Sequence, residues 1–140
     1  MRVRIKTTTN LHEFMKIITH ENQWWWGRSY TFIANDGKAM IELAIDETDG
    51  KDYFGTIQSL LVHESARHRG RANALLFQAE QYARQLGLEQ VVLCCRKGTW
   101  LVGWYERRGY KIYDDNPEYS KGQTVAMQKI FEDMPPKVER

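Results

Sequence analysis

Apolar positions recur with clear periods along most of the chain, and these periods predict its elements in order. Residues 2–8 alternate between polar and apolar and predict a first strand. Asn10 is suited to cap a helix that ends near Asn22. The apolar residues of this predicted helix recur at helical spacing: Leu11, Phe14, Met15 and Ile18.

The middle of the chain reads as three consecutive strands. Residues 30–34 and 39–46 have strand patterns, and the Asn-Asp-Gly-Lys sequence between them is typical of a tight hairpin turn. A third strand pattern covers residues 53–63. We therefore predict an antiparallel meander.

The second half alternates between helices and strands. Apolar residues at helical spacing predict a helix from Arg71 to Gly87, and the continuous apolar run at residues 91–95 predicts a buried strand parallel to the one before the helix. A second helix at residues 100–108 precedes two closing strands at 110–114 and 124–131. The predicted order is β-α-β-β-β-α-β-α-β-β.

Length and composition indicate one globular domain. The chain has 140 residues, of which 42% are hydrophobic and 27% charged, so we predict a single domain over residues 1–133 with a tail at 134–140. The net charge of +2 is too small to indicate a nucleic-acid partner. Neither a secretory signal nor a membrane span is evident, so we expect a cytoplasmic protein that does not bind membranes.

The two cysteines, Cys94 and Cys95, are adjacent in the predicted buried strand. Neighbouring strand residues point to opposite faces, so the pair is poorly placed for a disulfide or a metal site. We interpret both as small buried hydrophobic residues in a reducing compartment, with a reactive thiol as the alternative, and we predict no metal.

The turn from Arg67 to Ala72 joins the third meander strand to a helix and is suited to hold a phosphate. The first N–H groups of a helix lack intrahelical partners, and the helix dipole places positive charge there. Gly70 allows close approach of a ligand, and three arginines share the same sign: Arg67, Arg69 and Arg71. An ordinary solvated turn is the alternative reading of these residues alone.

Two motifs resemble those of the GNAT superfamily of acetyl-CoA-dependent N-acyltransferases. The spacing of Arg67, Gly70 and Ala72 matches its (Gln/Arg)-x-x-Gly-x-(Gly/Ala) signature, and residues 104–110 match its aromatic-Tyr-Glu-x-x-Gly-aromatic segment. The resemblance implies an α+β fold with a twisted, mixed, mostly antiparallel sheet of about seven strands flanked by helices. It also implies direct transfer of an acetyl group from acetyl-CoA to a primary amine of a small molecule or peptide, by a monomer or homodimer.

The resemblance assigns roles to particular residues. Tyr105 would be the general acid that protonates the departing thiolate. The strand edge at Leu60, Leu61 and Val62 would bind the pantetheine arm. The residues expected around the pyrophosphate are Arg67, His68, Arg69, Gly70, Arg71, Ala72 and Asn73.

The base that deprotonates the amine is not singled out by the sequence. Glu42, His63 and Glu64 are candidates, and bulk water is another. Gln58 stands where some family members carry a carboxylate, and Gly98 stands where many carry an asparagine. These departures leave open a non-catalytic module of the same fold that binds or senses acyl-CoA.

Three consecutive tryptophans, Trp24, Trp25 and Trp26, cannot all face one core, because neighbouring side chains diverge in both helices and strands. One interpretation places two of them in the core and one over a loop. The other makes them a wall of the acceptor pocket, together with the loop at residues 116–121.

Overall fold

The structure is a computed structural model that describes residues 3–10, 15–48 and 54–132. Within these ranges it contains eight strands in one sheet and two α-helices. The elements are β1 (Val3–Asn10), β2 (Met15–Trp24), β3 (Gly27–Ala34), β4 (Ala39–Asp46), β5 (Phe54–Val62), α1 (Arg71–Gln85), β6 (Gln90–Arg96), α2 (Trp100–Glu106), β7 (Lys111–Asp114) and β8 (Thr124–Ile130).

The strands lie in the order β1-β2-β3-β4-β5-β6-β8-β7. All neighbouring pairs are antiparallel except β5 and β6, which are parallel. The predicted α+β class and mixed, mostly antiparallel sheet are therefore confirmed. The parallel pair is formed by β5 and β6, the two strands that α1 connects, as predicted.

The predicted helix near residues 10–22 is wrong where the structure describes it, because Met15–Trp24 is a strand; residues 11–14 lie outside the described residues. This strand pairs with both β1 and β3, and Ile18 lies opposite Ile33. The run Ile17-Ile18-Thr19 is β-branched and favours extended backbone. The extra strand raises the number from the expected seven to eight.

The predicted hairpin between β3 and β4 is confirmed. Gly37 has φ of +75°, and the Gly37 N–H donates to the Ala34 carbonyl over 2.8 Å. The Asp36 carboxylate accepts the Lys38 N–H at 3.0 Å. Local turn chemistry therefore sets the register in which β3 meets β4.

Helix α1 covers one face of the sheet and contacts β3, β4, β5 and β6. Tyr82 lies between two strand aromatics, with ring centroids 4.7 Å from Tyr30 and 5.4 Å from Phe32. The fully buried side chains of this layer include Ile41, Leu43, Ile45, Leu75 and Ala79. This core holds the start of α1 rigidly beside the end of β5.

The boundary between the predicted domain and its tail falls at residue 133, and residues 133–140 lie outside the described residues. Among the described helices, neither has the length and apolar character needed to cross a membrane.

Candidate functional site

A cleft opens where the parallel strands β5 and β6 separate. They pair only over Phe54–Ile57 and Gln90–Leu93. The β4–β5 register also shifts, from Glu42 opposite Ser59 to Leu43 opposite Ile57, which leaves Gln58 as an extra residue. Such a bulge bends its strand. Beyond it, residues 59–62 pair with β4 on one side and have no described strand on the other.

The cleft has a volume of about 1210 Å³ and is lined by β5, β6, α2 and the turn that precedes α1. Its lining includes every residue that the motifs assign to the coenzyme except Arg69. Tyr105 lines the same cleft. The fold thus brings together two motifs that lie more than thirty residues apart in the sequence.

The turn before α1 is shaped like an anion site. His68 and Gly70 both have left-handed backbone, with φ of +64° and +72°. The first helical hydrogen bond runs from the Ala74 N–H to the Gly70 carbonyl, and no side chain caps the helix. The N–H groups of Ala72 and Asn73 therefore have no intrahelical acceptor and are available to an anion.

The charge of the cleft has one sign. Among the described residues that line it there is no Asp or Glu, whereas five are Lys or Arg: Lys38, Arg67, Arg71, Arg96 and Arg108. Arg67 and Arg71, which lie on either side of Gly70, have protein partners. Arg67 Nε donates to the Val62 carbonyl at 3.2 Å, and Arg71 forms a 2.7 Å ion pair with Asp36. The cleft is complementary to a ligand with several negative charges.

Tyr105 lies at the side of the cleft formed by α2, and its side chain is 6% exposed. Its ring makes edge contacts with Trp104 and Tyr110, at 5.1 and 5.4 Å between centroids. Burial, with a smaller contribution from Cys95, raises the pKa of Tyr105 to about 12. The hydroxyl therefore stays protonated at neutral pH and is a hydrogen-bond donor.

The model of the acetyltransferase (GNAT) family matches residues 4–110. This chain belongs to that family. The match spans both motifs. Comparison with curated protein sequences finds no match.

Solved structures with the same fold include a PaiA N-acetyltransferase from Thermoplasma acidophilum in complex with coenzyme A, at 19% identity and a TM-score of 0.59; the match covers 74% of this chain but only 60% of that one. A GNAT family acetyltransferase from Elizabethkingia anophelis with acetyl-CoA bound has a TM-score of 0.63 at 16% identity, covering 76% and 77% of the two chains. Nourseothricin acetyltransferase matches over 95% of this chain and 85% of its own, at 17% identity and a TM-score of 0.60.

The three candidate bases lie in different places. Glu42 is in the middle of β4, opposite Thr31 and Ser59, and does not line the cleft. Glu64 does not line it either. His63 does, and its Nδ1 accepts the Ser65 N–H at 3.1 Å, so the neutral ring carries its proton on Nε2, which is then a donor.

The three tryptophans lie at the hairpin that joins β2 to β3, and none lines the cleft. Trp24 and Trp26 stack with centroids 6.2 Å apart, and Trp25 is 90% exposed. Their hairpin meets β4 at Asp46, whereas the cleft meets β4 at its other end, at Ala39 and Met40. Their assignment to an acceptor pocket stays a prediction.

The structure corrects the interpretation of Cys94. Cys95 is buried, as expected, but Cys94 is exposed, because the two side chains point to opposite faces of β6. Both residues line the cleft. The Cys94 sulfur lies 2.6 Å from the Tyr119 hydroxyl in the β7–β8 loop. This contact, more than burial, raises the pKa of Tyr119 to about 12.

Three residues of the cleft lining were not among the predicted site residues. Trp100, Trp104 and Arg108 line the cleft from α2 and the turn that follows it. The second motif runs through this segment, but its pattern singles out only the tyrosine and the glycine by role. Within the described residues, no cluster of three or more His, Cys, Asp or Glu side chains is placed to hold a metal ion.

Proposed function

We propose that this protein transfers the acetyl group of acetyl-CoA to a primary amine of a small molecule or peptide. The observation that carries the proposal is the position of Tyr105 in the same cleft as the uncapped start of α1. The cleft thus combines an uncapped helix start that suits phosphates with a protonated phenol. The coenzyme A and acetyl-CoA bound to relatives of the same fold support the choice of coenzyme.

The coenzyme fits the cleft in one orientation. The pyrophosphate accepts hydrogen bonds from the N–H groups at the start of α1. The pantetheine arm carries two amides, and the free edge of residues 59–62 presents backbone groups that pair with them. With the coenzyme in this proposed orientation, the thioester lies beyond the point where β5 and β6 separate, near Tyr105.

The reaction is a direct acyl transfer. The neutral amine nitrogen attacks the thioester carbonyl, the new C–N bond forms, and the C–S bond breaks. One amine proton leaves to solvent, and the coenzyme departs as a thiolate that takes a proton from water. Each step uses only the two substrates and water.

Tyr105 stabilises the departing sulfur by donating a hydrogen bond. Its pKa of about 12 lies above the reference pKa of a thiol, about 8.5, so complete proton transfer from the phenol to the thiolate is uphill. A donated hydrogen bond needs no such transfer and acts on charge that develops only as the bond breaks.

A second candidate is a module that binds acyl-CoA without turning it over. It is favoured by the lining of the cleft, which contains no carboxylate among its described residues. In that case the protein binds acetyl-CoA but releases no thiol with any amine.

The test measures free thiol released from acetyl-CoA across a library of primary amines. We expect turnover with at least one amine, and we expect Tyr105→Phe to lower kcat at least tenfold while the Kd of coenzyme A changes less than twofold. The matched control is Tyr113→Phe, at an exposed tyrosine that does not line the cleft. Unchanged turnover in Tyr105→Phe contradicts the role of Tyr105, and binding without any turnover supports the second candidate.

A further inference from the structure

Arg108 lies in the turn after α2 and is held in place by three contacts. Its Nε donates to the Asn73 side-chain oxygen at 2.8 Å, and its NH1 group donates to the Trp104 carbonyl at 2.9 Å. The guanidinium carbon lies 3.7 Å from the centre of the Trp104 ring. These contacts fix a side chain that is otherwise flexible, and they join the end of α2 to the first turn of α1.

All three contacts are with neutral groups. An amide oxygen, a carbonyl and an indole face satisfy hydrogen bonds and stack on the cation, but none carries a negative charge. Within the described residues no carboxylate pairs with Arg108. Burial and the neighbouring Arg107 both lower the pKa of Arg108. The guanidinium is thus partly desolvated and positioned without a counter-ion.

The other arginines near the start of α1 differ from Arg108 in their contacts and their position. Arg71 is paired with the Asp36 carboxylate at 2.7 Å. Arg69 does not line the cleft. Arg67 is held by one hydrogen bond, to the Val62 carbonyl at 3.2 Å. Arg108 is held by three contacts, none of which compensates its charge within the described residues, and a bound anion completes this arrangement.

We propose that Arg108 binds a phosphate group of coenzyme A, with Asn73 and Trp104 holding its guanidinium toward the cleft. The proposal rests on the proposed function, because it identifies a further binding residue for the same coenzyme. A guanidinium has five N–H donors, and two are used by Asn73 and Trp104, so three remain. Asn73 is the third residue of α1, so the free donors lie beside the turn that faces the pyrophosphate.

The test compares three ligands of decreasing phosphate content: coenzyme A, 3′-dephospho-coenzyme A, and pantetheine, which has no phosphate. Affinities come from calorimetry for the two nucleotides and from NMR titration for the weaker pantetheine. The variant is Arg108→Gln, and the matched control is Arg107→Gln, at an exposed arginine that does not line the cleft.

We expect Arg108→Gln to weaken coenzyme A binding about tenfold or more, and pantetheine binding less than twofold. An equal loss for both nucleotides assigns the contact to the pyrophosphate, and a loss confined to coenzyme A assigns it to the 3′-phosphate. Arg108→Lys keeps the positive charge but lacks the planar guanidinium with its several N–H donors. We therefore expect a coenzyme A affinity between those of wild type and Arg108→Gln.

Two results overturn the inference. One is coenzyme A affinity in Arg108→Gln that equals that of Arg107→Gln. The other is an equal loss for pantetheine, which assigns Arg108 a structural role in shaping the cleft. Wild-type protein that binds no coenzyme A contradicts the proposed function itself, whereas wild-type binding with an unaffected Arg108→Gln variant contradicts only this inference.

Discussion

Replacing Lys129 with methionine should destabilise the fold by about 3 kcal/mol, because it leaves a buried carboxylate without its cation. Glu80 lies in α1 with a side chain that is only 8% exposed, and one of its oxygens is 2.6 Å from the Lys129 ammonium on β8. Its other oxygen accepts the Tyr110 hydroxyl at 3.0 Å. The network joins α1 to β8 and to the residue that precedes β7, so its loss affects the contact between the helix and this end of the sheet.

The magnitude follows from the burial of the two partners. Removing one member of a buried ion pair costs about 3–5 kcal/mol. The Lys129 side chain is 25% exposed, so water reaches part of the site and the lower end applies. For a domain of this size 1 kcal/mol shifts Tm by about 4 °C, so we expect Lys129→Met to lower Tm by about 12 °C.

The assay is urea unfolding followed by circular dichroism, with thermal melts as a second measure. Lys111→Met is the control, at an exposed lysine on β7, and it should change stability by less than about 0.5 kcal/mol. In the double variant Glu80→Gln/Lys129→Met the unpaired charge is absent and the amide oxygen can still accept the Tyr110 hydroxyl, so we expect it to be more stable than Lys129→Met alone. A loss below about 1 kcal/mol in Lys129→Met, or a double variant less stable than the single one, would refute the reasoning.

Two further predictions concern the turns beside the cleft. Gly70→Ala should destabilise the protein by about 1–2 kcal/mol, because a side chain is strained at φ of +72°, and it should weaken coenzyme A binding; calorimetry checks both, and unchanged affinity speaks against the anion site. The hydrogen bond from the Lys38 N–H, and then Arg71, lower the pKa of Asp36. A carboxyl whose pKa is lower in the folded state stabilises the fold at pH above its unfolded-state pKa, and this stabilisation is lost as the pH falls through its folded-state pKa. Asp36→Asn should therefore lose less stability than wild type below about pH 4, and urea unfolding at a series of pH values measures this. Identical pH profiles for wild type and variant contradict this linkage.

The elements predicted correctly are those with strong local signals. The β3–β4 hairpin follows from an Asp-Gly turn, and α1 follows from a long helical period that ends near a glycine. The strand β6 follows from a short, continuous apolar run. In each case the chemistry of neighbouring residues along the chain is enough to specify the conformation.

The segment Met15–Trp24 shows where local reasoning fails. Its apolar residues fit a helical period, yet it pairs along its length with β1 and β3. In a strand, the backbone N–H and C=O groups are hydrogen-bonded to residues that are distant in sequence. The hydrophobic pattern within one segment contains no information about those partners. The fully buried Ile17 belongs to the same hydrophobic core as the buried side chains of α1.

For the candidate site, the sequence by itself predicted the turn before α1 and Tyr105 as site residues, because both belong to motifs whose spacing is local. Only the tertiary structure decided which charges are available: it paired Arg71 with Asp36, held Arg108 between Asn73 and Trp104, and exposed Cys94 in the cleft. It also placed the three tryptophans at the opposite end of β4 from the cleft. The physical reason is that the free energy of a charge depends on its neighbours in space, and those are set by how β5, β6, α1 and α2 pack together.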